Sequence, residues 1–80
     1  METEEILREL DTIFRNILKN ENIALTPATT AKDVEGWDSL TNMRLITATE
    51  KHYNIRFGLR EILKFKHVGD LCASIQAKKK

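Results

Sequence analysis

The sequence predicts an all-α fold: a small four-helix bundle with a long loop between helix 1 and helix 2 and a short third helix. Three observations carry that expectation. Apolar residues recur at helical spacing near both ends, as Ile6, Leu10, Ile13 and Ile17 and again as Val68, Leu71, Cys72 and Ile75. A further apolar helical run opens at Ser39. Between the first two runs, residues 20–38 hold the only proline and no sustained periodicity.

The first helix is expected over 3–19, where Leu7, Phe14 and Leu18 widen the apolar stripe. Acids crowd its first turn and Lys19 closes its last, matching the helix dipole. Residues 20–38 read as a loop, and loops that long inside compact domains are functional or disordered. Ile23, Leu25, Val34 and Trp37 are expected to pin this one to the core. The second helix spans 39–53, a short third spans 58–65 after Gly58, and His67 opens a fourth over 68–77. Cys72 falls on the apolar face of that last helix, where packing accounts for it better than reactivity.

Eighty residues make one domain, 1–80, with one small core and little room to enclose a deep active site as well. Its 41% hydrophobic and 31% charged residues describe a globular chain, and no apolar run approaches the length of a membrane span. The acidic, amphipathic start "METEEILREL" does not read as a secretory leader, and a single cysteine excludes an internal disulfide. A monomer in a reducing, cytoplasmic compartment is the expectation.

The net charge of +1 conceals an asymmetry. Residues 1–38 are acidic, whereas from Ser39 onward nine basic residues face only Glu50, Glu61 and Asp70. Part of that excess is the terminal run Lys78, Lys79 and Lys80, expected with Ala77 as a frayed, solvated tail. A basic half points to an acidic partner. Nucleic acid is not favoured, because no reading-helix motif or aromatic interleaving accompanies the charge.

The second helix carries more apolar surface than one core contact needs. At about 100° per residue, Leu45, Ile46, Thr49 and Tyr53 share one arc, while Leu40, Met43 and Thr47 lie on another beside Ser39, bordered by Arg44. Either a neighbouring loop covers this second strip or it is a contact patch around the serine. A catalytic serine is disfavoured. "Gly36-Trp37-Asp38-Ser39-Leu40" is not a nucleophile elbow, His52 lies ~20 Å along the same helix by its rise, and no metal-ligand cluster or oxyanion loop is evident. A serine at a helix start is suited either to capping or to accepting a phosphate-linked group, whose charge the free N–H groups and the dipole favour.

The run Gly36-Trp37-Asp38-Ser39-Leu40, set after a long loop at the start of a second helix, resembles the 4′-phosphopantetheine attachment motif of acyl carrier proteins. The likeness spans nearly the whole chain, including the aromatic Tyr53 ending helix 2 and Val68-Gly69-Asp70-Leu71 opening the last helix. The resemblance implies a carrier rather than an enzyme. Ser39 would bear the 4′-phosphopantetheine arm, added from coenzyme A by a magnesium-dependent phosphopantetheinyl transferase. Asp38 would stand beside the acceptor hydroxyl, where the modifying enzyme uses it for a metal ion or a proton. The arm would hold acyl groups as thioesters for ligase, ketosynthase or acyltransferase partners. Trp37, Leu40, Met43, Arg44 and Thr47 would touch the arm, its cargo or those partners, and the inner helix faces around Phe14, Leu45 and Ile46 would part to shelter a chain.

The chain departs from the acidic fatty-acid carriers of the family. Arg44 and Thr41 stand where those commonly have acids, Lys51 and His52 interrupt the acidic end of helix 2, and Phe57-Gly58-Leu59-Arg60-Glu61 replaces an acidic third-helix stretch, with Lys64 and Lys66 following. Charge reversal at a recognition face penalises the wrong partner, so a specialised lipid or polyketide-type pathway with dedicated partners is expected. The alternatives are an aminoacyl or peptidyl carrier, which Asp38 before Ser39 disfavours, and an unmodified helical interaction module in which Ser39 only caps.

Overall fold

The computed structural model describes residues 2–79. They form four α-helices, α1 (Thr3–Leu18), α2 (Ser39–Tyr53), α3 (Leu59–Lys64) and α4 (Val68–Lys78), with one 3₁₀ turn at Ala31–Asp33. The expected all-α bundle is therefore what the chain builds, with boundaries shifted by a residue or two. Lys19 and Asn54 close α1 and α2 in the left-handed conformation, their N–H groups returning to Arg15 and Glu50 carbonyls.

The core is shared by three helices and the loops. Ile6, Leu10, Ile13 and Phe14 come from α1; Leu45, Ile46, Thr49 and Tyr53 from α2; Val68, Leu71, Cys72 and Ile75 from α4; and Ile23, Leu25 and Phe57 from the loops. The buried Thr49 hydroxyl donates to the Leu45 carbonyl at 2.8 Å, which removes the cost of an unpaired polar group. Burial pushes the Cys72 thiol up to about 11, so it remains a packed, protonated side chain. The third helix buries none of its residues, and Ile62 and Phe65 only lean on the core.

The long loop is held by polar clamps as well as by its apolar residues. The Leu25 N–H donates to Asp11 Oδ1 at 2.8 Å, and Arg15 Nε donates to the Ile23 carbonyl at 2.8 Å. Ile23 and Leu25 are buried, while Val34 and Trp37 pack against the core edge. Further on, the loop reaches the start of α4. The Val68 N–H donates to the Thr29 carbonyl and the Gly69 N–H to the Pro27 carbonyl, at 2.9 and 2.8 Å. Two of the four N–H groups that every helix start leaves unpaired are thereby satisfied. His67 precedes α4 as expected, its N–H and that of Lys66 donating to Asp70.

Gly69 permits that close approach, because a Cβ there would lie 2.9 Å from the Pro27 oxygen. Gly69→Ala should therefore push loop and helix apart. The expected cost is about 1–3 kcal/mol, as for an overpacked core, read as a lowered denaturation midpoint. An unchanged midpoint would show that the loop yields freely at Pro27.

The lysine tail expected to fray is instead docked as far as it is described. The last helix runs to Lys78, whose ammonium pairs with Glu61 at 3.0 Å, and Lys79 Nζ donates to the Tyr53 carbonyl at 3.2 Å. Composition suggested solvation, but both cations find oxygen partners on neighbouring elements. Lys80 lies outside the described residues.

Candidate functional site

The site is built from the turn that ends the long loop. Gly36 adopts φ +88°, a conformation that costs glycine nothing and strains any other residue. Its carbonyl accepts from the Thr41 hydroxyl at 2.7 Å, while the Asp38 N–H donates to the same hydroxyl at 2.9 Å. Asp38 reciprocates: its Oδ1 accepts from the Leu40 and Thr41 N–H groups at 3.0 and 2.9 Å. This is a reciprocal capping box, and its cap is Asp38.

The serine thus has a different place from the cap. Ser39 is the first residue of α2, exposed, and its hydroxyl has no hydrogen-bond partner among the described residues. It stands at the positive end of a 15-residue helix, which favours negative charge attached there. Neither histidine is hydrogen-bonded to it: His52 Nε2 lies 3.0 Å from Glu9 Oε1, and His67 Nδ1 lies 3.0 Å from Asp70 Oδ2. Among the described residues no group of acids, histidines and cysteine is arranged to hold a metal ion.

Every hydrogen bond that Asp38's carboxylate accepts falls on Oδ1, leaving Oδ2 without a hydrogen-bonding neighbour among the described residues. The Thr41 N–H, with the Thr41 hydroxyl and the Leu40 N–H, holds the carboxyl below its ordinary range. A carboxyl depressed on folding stabilises the fold above its unfolded pKa, and that contribution fades as pH falls through the folded value. Asp38→Ala should lower the melting temperature by several degrees at neutral pH, with the gap to wild type closing on acidification. Thermal melts across pH 2–7 check this, and a gap that stays constant would assign the loss to something other than the carboxylate.

The remaining candidates divide into two groups. Leu40 (80% exposed), Met43 (51%) and Thr47 form an uncovered strip beside Ser39, so no loop lies over it. Met43, Arg44 and Thr47, with Ile17, Ala48 and Lys51, line an open groove of about 400 Å³ between α1 and α2. Trp37 departs from this group. Its ring stands edge-on to Phe14 at 4.9 Å, and its Nε1–H donates to Asn42 Oδ1 at 3.0 Å. With Phe14, Leu45, Ile46 and Phe65 it encloses an interior cavity of about 20 Å³, room for about one water. Leu59 and Leu63 on α3 are 72% and 74% exposed. The sequence reading passed over them, although their i,i+4 spacing beside Arg60 and Lys64 was a visible signal.

Among the described residues no helix is long and apolar enough to cross a membrane. Comparison with known proteins agrees with the geometry. The sequence profile of the family described as "Phosphopantetheine attachment site" matches residues 8–75. Among solved structures, the chain is similar to the solution structure of a holo acyl carrier protein from Geobacter metallireducens. The TM-score is 0.85 at 44% identity, over 90% of this chain and 83% of that one. No curated protein matches the chain. A profile match over most of the chain, together with that fold, identifies the protein as a member of the phosphopantetheine-attachment family, a carrier rather than an enzyme.

Proposed function

We propose that the protein is an acyl carrier that bears 4′-phosphopantetheine on Ser39 and serves a specialised lipid or polyketide-type pathway with dedicated partner enzymes. The observation that carries the attachment site is the division of labour at the start of α2. Asp38 caps the helix through one carboxylate oxygen, so the adjacent serine hydroxyl is exposed and uncommitted. Oδ2 of Asp38 is available to a modifying enzyme for a metal ion or a proton, consistent with a carboxyl that stays ionised.

When bound, the group supplies a terminal thiol that carries acyl chains as thioesters. The protein's own residues do the rest. The opening of α2 offers the positive end of the helix dipole to the phosphodiester, its Leu40 and Thr41 N–H groups being held by Asp38. Leu40 and Met43 offer apolar surface where the arm leaves the serine. The interior cavity by Phe14 and Trp37 is too small for an alkyl chain as it stands, so its lining must shift if cargo is to enter. The specialised pathway is supported by the charge of α2 and α3, where basic residues replace the acids of general fatty-acid carriers.

The test is intact mass after incubation with coenzyme A, magnesium and a broad-specificity phosphopantetheinyl transferase. One phosphopantetheine per chain is expected, followed by acyl loading from acyl-coenzyme A donors. A folded, initially unmodified chain that gains nothing would leave a helical interaction module.

A further inference from the structure

One ridge of α2 leads away from Ser39 in a single line. Ser39, Met43, Thr47 and Lys51 follow one another at four-residue intervals, so each stands a turn beyond the last on the same inclined row. Beside that row lies the open groove of about 400 Å³ between α1 and α2, with Ile17 and Ala48 in its apolar lining. A second hollow of about 500 Å³ reaches past the end of α2, lined in part by Ile55 and Arg56. Thr47 and Lys51 line both, so the two hollows make one trough that starts a turn from Ser39.

The chemistry of the trough changes along its length. Near the serine, Leu40 and Met43 expose apolar surface. At the far end stand Lys51 and Arg56, with Arg44 on the flank. All three cations are exposed, and none enters an ion pair among the described residues. The one carboxylate that lines either hollow belongs to Glu50, and its Oε2 already accepts from the Phe57 N–H at 2.8 Å. An apolar track that ends in unpaired cations fits a chain that is uncharged along its length and acidic at its tip.

An arm on Ser39 has the length to use it. From the serine Cα to the thiol sulfur a phosphopantetheine chain has about sixteen bonds, which at ~1.2 Å per bond of an extended chain reach ~19 Å. The helix rise from Ser39 to Lys51 covers about 18 Å. The sulfur of an arm laid in the trough therefore ends level with Lys51, and an acid several bonds further on stands between Lys51 and Arg56. A plain alkyl tail gains little there. The trough is open to water, and the interior cavity of about 20 Å³ does not hold such a tail.

We infer that the trough beside α2 is a cargo site for an acyl group of about four or five carbons with a terminal carboxylate, the acid pairing with Lys51 and Arg56. This rests on the carrier reading, since the cargo reaches the trough only on an arm attached to Ser39. The tether holds the cargo at an effective concentration of about millimolar, so a weak, exposed pairing is enough to populate the site.

The test loads succinyl- or butyryl-phosphopantetheine from the matching coenzyme A thioester with a broad-specificity transferase. Intact mass verifies loading, and amide shifts are measured against the holo protein. The two acyl groups share a four-carbon chain and differ in the acid. Succinyl cargo should move the amides of residues 47–56 about two- to five-fold more than butyryl, the range expected of an exposed ion pair. Lys51→Gln/Arg56→Gln should erase the difference with circular dichroism unchanged, and about 0.5 M salt should shrink it. Ala48→Leu, which fills the floor of the trough, should reduce the arm-dependent shifts for both groups. Equal shifts from the two groups, or a difference that survives the double variant, would overturn the inference. So would succinyl-dependent shifts confined to Trp37 and Phe65, which would put the cargo inside the bundle. Any of these results with the mass gain present leaves the carrier reading standing. No mass gain on a folded, initially unmodified chain would sink that reading and the cargo site with it.

Discussion

Ser39→Ala is expected to take up no phosphopantetheine under conditions that fully modify the wild type, while folding as well as it does. The two halves of this expectation have separate causes. Uptake should vanish because the other hydroxyls nearby are unsuitable. That of Thr41 donates to the Gly36 carbonyl and accepts from the Asp38 N–H, and that of Thr47 lies two turns into the helix, away from the positive end of its dipole. The fold should persist because Ser39 is not the cap. Asp38 keeps its two backbone donors, and alanine at the first helical position is a good helix former. A surface change of this kind alters stability by about 0.5 kcal/mol or less, a shift of a few degrees in so small a domain. Intact mass and a thermal melt on the same sample decide both halves. Residual uptake would place the acceptor elsewhere, and a melted variant would make Ser39 structural after all.

That separation of the cap from the proposed acceptor marks the limit of what was legible in the residues. A helix starting near Ser39 was readable, and so was the suitability of its first turn for a phosphate-linked group. Which of Asp38 and Ser39 does the capping was not decided, although Asp38-x-x-Thr41 has the spacing of a reciprocal box. The first and last helices were plain because their apolar stripes repeat for several turns, and periodicity needs that length to show. Six residues of α3 do not supply it, so Leu59 and Leu63 went unread even as the charge reversal around them was noticed. Scattered apolar residues did foretell a pinned loop. The clamps from Asp11, Arg15 and Thr29 did not show, because each joins groups far apart in sequence through backbone atoms. Lys78 and Lys79 failed for the same reason: their oxygen partners belong to α3 and the end of α2. Trp37 was grouped with the outward strip by its position in the motif, whereas its indole has Phe14 and Asn42 to satisfy it inward.

The inward placement of Trp37 gives the second large effect a direct optical readout. Phe14 is fully buried, and Phe14→Ala removes a ring from the centre of the bundle. Large-to-small changes of this kind cost about 3–5 kcal/mol, the sum of lost transfer energy and the cavity left behind. An 80-residue domain has only about 4–12 kcal/mol of total stability at typical values per residue, so the variant should sit close to its unfolding transition near room temperature. The loss should also reach the turn before Ser39, because the Phe14 ring is the edge-on partner that holds Trp37, and Trp37 immediately precedes the Asp38 cap. Trp37 is the only tryptophan, so its fluorescence reports that one place. Denaturant titration should show a midpoint lowered in proportion to the stability loss, together with red-shifted emission before global unfolding. Phe14→Leu, which leaves a smaller void, should fall between alanine and wild type on both measures. If alanine costs less than about 1 kcal/mol, neighbouring side chains must collapse into the space. Trp37 would then be a movable plug over the interior rather than a fixed wall, and the small cavity could open to an acyl chain without the helices parting.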